Sequence, residues 1–200
     1  MTDQALPSYG ALVLAGGGAR RLGGADKPSL DVGGRSLLQR VVDAVPDAEP
    51  VVVVGPERPL DREVVWTRED PPGGGPVAAL VAGLPLAGPL YVAVLAADLP
   101  FLVADVVHRL RAAAVGRDGA LLVDDDGREQ LLVGVWRAEA LRDRLHDLRR
   151  LGRLGHPPGG PLRRVLAGLD SERVRLPGAA RPPWWDCDTA DDLDEARRRA

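Results

Sequence analysis

Ala11-Leu12-Val13-Leu14-Ala15-Gly16-Gly17-Gly18 is the stretch that decides the architecture. Five apolar residues in succession, with no polar residue alternating among them, suit a strand buried on both faces. Such strands belong to parallel sheets covered by helices on each side. The three glycines then turn the chain into a loop.

Moving outward, Val51-Val52-Val53-Val54-Gly55 after Pro50 repeats the pattern, and Leu90 to Ala96 repeats it again. Val64-Val65-Trp66 gives a short strand between them. Ser36 to Val45 carries Leu37, Leu38, Val41, Val42 and Val45 at helical spacing, with Ser36 as N-cap. Further helices are predicted over about 77–84, 102–114, 138–148 and 162–169. A last helix starts near Asp191 with Thr189 as its cap. Ala120 to Val123 and Gln130 to Trp136 flank the turn Asp124-Asp125-Asp126-Gly127, a connection short enough to imply an antiparallel pair. Val174-Arg175-Leu176 suits an edge strand, and the Gly- and Pro-rich run from Leu151 to Pro161 a mobile loop. This order predicts an α/β fold: three layers, α/β/α, around a mostly parallel, mixed sheet, as one domain over residues 1–200.

Composition bounds the function. Of 200 residues, 45% are apolar and 28% charged, and the net charge of -3 provides no basic footprint for nucleic acid. No apolar run approaches the length of a membrane span, and Met1 to Pro7 lacks a basic flank leading into an apolar segment, so neither membrane nor signal peptide is expected. One cysteine, Cys187, excludes an intramolecular disulfide and a cysteine-cluster metal site. A cytoplasmic location is expected. Among 26 basic residues a single one, Lys27, is lysine. Coding bias toward arginine accounts for most of that imbalance, but lysine is a flexible point charge where arginine is a planar fork. Its place at the end of the glycine-rich segment points to a chemical requirement.

Ligands of open α/β sheets lie beyond the carboxyl ends of the strands, so the loops there are the candidate sites. The first runs from Gly16 to Lys27. Its glycines allow backbone N–H groups to approach phosphate oxygens, and Arg21 and Lys27 add positive charge near a departing pyrophosphate. It is not a P-loop, because Lys27 is followed by Pro28, nor a dinucleotide fingerprint, because Arg21 takes the third glycine's place. The second loop holds Asp98, either a magnesium ligand or a cap for the next helix. In the third, an extended Asp186-Cys187-Asp188 would point both carboxylates to one side, and either could be the second metal ligand. Asp191 and Asp192 suit the first turn of the last helix. His108, His146 and His156 are read as structural or surface residues.

The motif Leu14-Ala15-Gly16-Gly17, three residues, then Arg21-Leu22-Gly23-Gly24-Ala25-Asp26-Lys27 resembles the nucleotidyltransferases of molybdenum cofactor maturation, the MobA-like NTP transferases, whose fold is of the Rossmann-like nucleotide-diphospho-sugar transferase type. Gly75-Pro76-Val77-Ala78-Ala79-Leu80 looks like the family's second nucleotide loop, with Asp70 ahead of it. Ala97-Asp98-Leu99-Pro100-Phe101 resembles its metal-binding segment, and Asp188-Thr189-Ala190-Asp191-Asp192-Leu193 its C-terminal signature. The resemblance implies nucleotide binding by Leu14, Ala15, Gly16, Gly17, Gly18, Arg21, Lys27, Asp70, Gly75, Pro76 and Asp98. It implies Mg2+ on Asp98 and Asp188, and catalysis through Arg21, Lys27 and Asp98. The implied reaction transfers GMP from GTP to molybdopterin, releasing pyrophosphate, with molybdoenzyme apoproteins as recipients of the product. Asp186 and Asp188 stand where guanylyl transferases usually carry asparagine, as in the cytidylyl branch, and Leu131 stands near a usual proline. The alternatives are therefore CTP in place of GTP, another phosphorylated acceptor, or a nucleotide-binding module without catalysis.

Overall fold

A computed structural model of the chain describes residues 6–16, 26–88, 90–154, 161–178 and 180–200. Nine strands and six α-helices follow one another as β1 (Tyr9–Leu14), β2 (Asp31–Val32), β3 (Arg35–Ser36), α1 (Leu37–Asp43), β4 (Val51–Val54), β5 (Val65–Thr67), α2 (Gly75–Gly83), β6 (Tyr91–Ala96), α3 (Ala104–Ala114), β7 (Gly119–Val123), β8 (Glu129–Arg137), α4 (Ala138–Arg150), α5 (Leu162–Leu166), β9 (Ser171–Arg175) and α6 (Ala190–Arg199) among the described residues. Short 3-10 turns occupy Lys27–Ser29 and Leu84–Leu86.

Seven strands form one sheet in the order β5-β4-β1-β6-β8-β7-β9. β8 alone runs against its neighbours; the other pairings are parallel. The apolar runs explain this placement. In β1, Ala11 and Val13 face one side with Leu38, Val41 and Val42 of α1 and Val106, Val107 and Leu110 of α3. Leu12 and Leu14 face the other, with Val77 and Leu80 of α2, Leu141 and Leu145 of α4 and Val165 of α5. Both faces are thus covered, which is why no polar residue interrupts the run. The expected three layers and mixed sheet are present, and β9 lies at the sheet's edge.

Close packing makes two demands on glycine. A Cβ at Gly10 would lie 2.0 Å from the Ala87 carbonyl oxygen, so β1 can pass the chain before β6 only with a bare backbone. Farther along the sheet, Gly119 and Gly134 leave room for the indole of Trp136, which is fully buried; a Cβ on Gly119 would meet it at 2.3 Å.

The ends of the helices follow their caps. Ser36 Oγ accepts from Gln39 N–H at 3.1 Å, starting α1, and Thr189 and Asp192 form a reciprocal capping box at α6. Asp192 therefore has the structural role expected of it. α2 begins two residues ahead of the predicted Val77, since Pro76 suits a first helical turn. The β2–β3 ribbon was not expected. It turns at Gly33 and Gly34, both at positive φ (63° and 81°), and packs Val32 with Leu37, Phe101, Cys187, Leu193 and Ala196 in a separate small cluster. Residues 155–160, the larger part of the expected 151–161 loop and including His156, lie outside the described residues.

Candidate active site

The sheet changes direction at β1. From β1 the chain proceeds through α1 to β4 on one side, then returns through α2 to β6 on the other. Their carboxyl ends lie side by side: Leu14 pairs with Ala96, Ala97 N–H donates to Leu14 O at 3.2 Å, and Ala15 N–H donates to Val54 O at 2.8 Å. A crevice at such a switch point is where open α/β sheets take ligands. Gly16 leaves it from β1 and Asp98 from β6.

Asp98 is no helix cap. α3 starts at Ala104, and its N-cap is Val103, without a side-chain bond. The Asp98 side chain instead meets Lys27, whose Nζ donates to Asp98 Oδ2 at 2.5 Å and to Asp188 Oδ1 at 2.7 Å. Three of the sequence-predicted residues, from three distant parts of the chain, thus converge on one ammonium group. Burial opposes the Lys27 charge, but the attraction of Asp98 and the hydrogen bonds to Asp188 and Asp98 outweigh it, so its pKa is raised. Asp98 Oδ1 is buried and has no hydrogen-bond partner among the described residues.

The C-terminal segment supplies its carboxylates by simple alternation. Cys187 is fully buried in the Phe101–Leu193 cluster, while its neighbours Asp186 and Asp188 are exposed. The protein packed around Asp186, then the like charges of Asp188 and Asp98, raise its pKa. Burial, helped by Asp98, pushes the Cys187 thiol up to about 12.

The remaining expected residues fall around this centre unevenly. Leu14 and Ala15 are buried at the end of β1, while Asp70, Gly75 and Pro76 are exposed in and after the second glycine loop. Gly17, Gly18 and Arg21 lie outside the described residues. His108 and His146 are exposed on α3 and α4, as expected of surface residues.

Two residues escaped the sequence reading. Arg58, in the loop after β4, donates from Nε and Nη2 to the two carboxylate oxygens of Asp26 at 2.7 and 2.6 Å. Its hydrogen bonds, first among the causes, hold the Asp26 carboxyl below its ordinary range. Glu69 accepts from Gly73 N–H at 3.2 Å, and its carboxylate stands 3.4 Å from where a Cβ of Gly16 would be. It thereby joins the two glycine-rich loops. Its position next to Asp70 was the available signal; Arg58 had none, since 32 residues separate it from Asp26.

Hard oxygen donors of this kind fit magnesium, which takes one or two protein carboxylates and completes its shell with phosphate oxygens and water. The orphaned Asp98 Oδ1 is a further oxygen with lone pairs to give. Among the described residues, no group of three or more His, Cys, Asp or Glu is arranged around a metal position.

A mostly parallel sheet whose switch point gathers Gly16, an ammonium group and two carboxylates fits a nucleotidyltransferase of the α/β class. The chain belongs to the family of the MobA-like NTP transferase domain, whose model matches residues 11–174. It is 33% identical to a molybdenum cofactor guanylyltransferase of Bradyrhizobium sp. (strain ORS 278), over all of this chain and 97% of that protein. It is 30% identical to one of Nitrobacter hamburgensis, over all of this chain and 98% of that protein. Among solved structures, the molybdopterin-guanine dinucleotide biosynthesis protein A of Archaeoglobus fulgidus superposes with a TM-score of 0.72 at 20% identity, covering 94% of this chain and 97% of that one. The 2-C-methyl-D-erythritol 4-phosphate cytidylyltransferase of Thermus thermophilus does so at 0.71 and 22%, covering 96% and 98%. At those identities the superpositions establish the fold. Among the described residues no helix is long and apolar enough to cross a membrane.

Proposed function

We propose that the protein transfers GMP from GTP to molybdopterin, with magnesium, and releases pyrophosphate. The observation that carries the reading is the meeting of Lys27, Asp98 and Asp188 beyond the carboxyl ends of β1 and β6. Full-length relatives named for guanylyl transfer in molybdenum cofactor synthesis support it.

The residues divide the work by charge. Asp98 and Asp188 would hold the magnesium ion, with Asp186 next to them; the ion supplies charge neutralisation and orientation for the triphosphate. In this reading Gly16, Gly17 and Gly18 bind phosphate oxygens, a role that residues without a Cβ suit. Gly75 and Pro76 begin α2, and the amino end of that helix favours an anion. Lys27 and Arg21 offset the charge that pyrophosphate carries as it leaves. An acceptor phosphate is already ionised near neutral pH, so no general base is needed, in keeping with the surface positions of His108 and His146. The domain in this reading spans the whole chain. The reaction draws on cytoplasmic GTP, and its product passes to a molybdoenzyme apoprotein.

Pyrophosphate release from purified protein with magnesium and molybdopterin tests this, with GTP and CTP as parallel substrates. Release with GTP alone is the expected result. Release with CTP alone would transfer the protein to the cytidylyl branch, which the acidic pair Asp186 and Asp188 resembles. Tight nucleotide binding without release from either would make it a binding module.

A further inference from the structure

We propose that Lys27 is the built-in counter-ion of Asp98 and Asp188, competing with the divalent cation for the pair until a bound triphosphate draws the ammonium group away. The inference rests on the proposed function for the identity of the metal site, and goes beyond it by giving Lys27 a second role.

The geometry sets the two cations in competition for one pair of carboxylates. Nζ lies 2.5 Å from Asp98 Oδ2 and 2.7 Å from Asp188 Oδ1, bonded to one oxygen of each carboxylate. A magnesium ion held by Asp98 and Asp188 would draw on the same negative charge that now offsets the ammonium group. The ammonium also leaves Asp98 Oδ1 buried and, among the described residues, without a hydrogen bond, so its own hold on the pair is incomplete and exchange for a better cation is open. Lysine suits such exchange. Its head is a compact charge on a flexible stem, able to leave one set of acceptors for another, whereas an arginine fork would lock onto a carboxylate. All the other basic residues of the chain are arginine. Lys27 is also placed to move: it opens a 3-10 turn whose Pro28 is buried, so the backbone is anchored while the side chain swings. A triphosphate entering beside Gly16 offers oxygens that carry more negative charge than the carboxylate pair. Metal then enters as the ammonium leaves, and metal binding is coupled to nucleotide binding through one side chain.

If the pair is closed by Lys27 about nine-tenths of the time, nucleotide-free metal affinity is reduced about tenfold. The test is titration of the full-length protein with Mn2+ alone, counting free ion by electron paramagnetic resonance. Lys27→Met should bind Mn2+ about tenfold more tightly than wild type, and adding Asp98→Asn to it should abolish the gain. Lys27→Arg should bind as weakly as wild type. Equal or weaker Mn2+ binding by a folded Lys27→Met, judged by circular dichroism, would overturn the proposal. A second measurement needs no variant. With one lysine in the chain, protein grown on 15Nζ-lysine gives a single side-chain ammonium signal. That signal should hold still at Mg2+ concentrations too low to fill the nucleotide-free site and shift when a non-hydrolysable GTP analogue is added at the same Mg2+ concentration. A stationary signal with the analogue bound, as established by calorimetry, refutes the exchange. The Mn2+ titration involves no nucleotide, so it can fail while guanylyl transfer stands, and the pyrophosphate assay can fail while the exchange stands.

Discussion

Arg58 grips Asp26 with two parallel N–H···O bonds, at 2.7 and 2.6 Å, and so fixes the residue immediately before Lys27. The Arg58 side chain is 8% exposed, which limits the alternatives open to it, and its Nη1 also donates to Pro56 O. The loop after β4 therefore aims the lysine, although it touches neither carboxylate of the Lys27 centre. Arg58→Ala should lower kcat/KM for GTP by about tenfold, a loss of positioning of the kind expected from a small misplacement. Arg58→Lys should recover little, because a point charge cannot reproduce the fork. Full recovery in the lysine variant would show that charge alone matters. Because Asp26 has a lowered pKa, its partnership with Arg58 favours the folded state above the ordinary carboxylate range and is lost as pH falls through it.

Removing the ammonium is the more severe change. Lys27→Ala should cost about 10²–10³ in kcat, the scale of a lost charge-stabilising donor. Asp98→Asn should abolish activity or its metal dependence. Steady-state kinetics over a magnesium series checks both, and unaltered magnesium dependence in Asp98→Asn would locate the metal elsewhere.

Asp186 offers a pH signature. Its pKa is raised by burial and by the charges of Asp188 and Asp98, so its ionised form weakens the folded state. That penalty is complete above the raised folded value and absent below the unfolded one. Asp186→Asn should therefore stabilise the protein at pH 7 to 8, and the gain should vanish as pH falls through the carboxylate range. Thermal unfolding at a series of pH values measures it. A gain that grows on acidification would contradict the assigned cause.

The Cys187 thiol should be inert in the native protein. It is buried and its pKa is raised to about 12, so almost no thiolate exists at neutral pH. A thiol reagent such as dithionitrobenzoate should label it only after denaturation. Rapid labelling of the native chain would mean that the segment carrying Asp186 and Asp188 opens readily.

Gly10→Ala should destabilise the fold by about 1–3 kcal/mol or more, the usual cost of overfilling a packed interior. The new methyl would meet the Ala87 carbonyl at 2.0 Å, and backbone cannot rotate out of the way as a side chain can. Urea unfolding of the two proteins gives the difference directly.

Much of the sheet was legible because burial on both faces leaves an unbroken apolar run, as in Val51 to Val54, and the loop glycines punctuate it. Asp98 was legible as a carboxylate at a strand's end, and Lys27 as a solitary lysine. Sequence could not choose between metal ligand and cap for Asp98; the position of α3, starting at Ala104, excludes the cap. Arg58 was invisible because its partner is set by tertiary packing. The β2–β3 ribbon had a signal that went unused: Gly33-Gly34 between Val32 and Arg35 suits a hairpin turn with two positive φ angles. Two-residue strands are too short for alternation to register, so only the turn could have disclosed them.

The bond from Lys27 to Asp188 joins residues 161 positions apart. Closing so long a loop is an entropic expense that only the assembled fold offsets. On a ribosome, β1 and β6 can be laid down and paired well before Asp188 has been made. The core strands β1 and β6 therefore precede in the chain the carboxylate that completes the contact with Lys27. What holds that late segment in place is the small cluster around Cys187, Phe101 and Leu193, so a patch of apolar packing outside the main core sets the reach of a carboxylate.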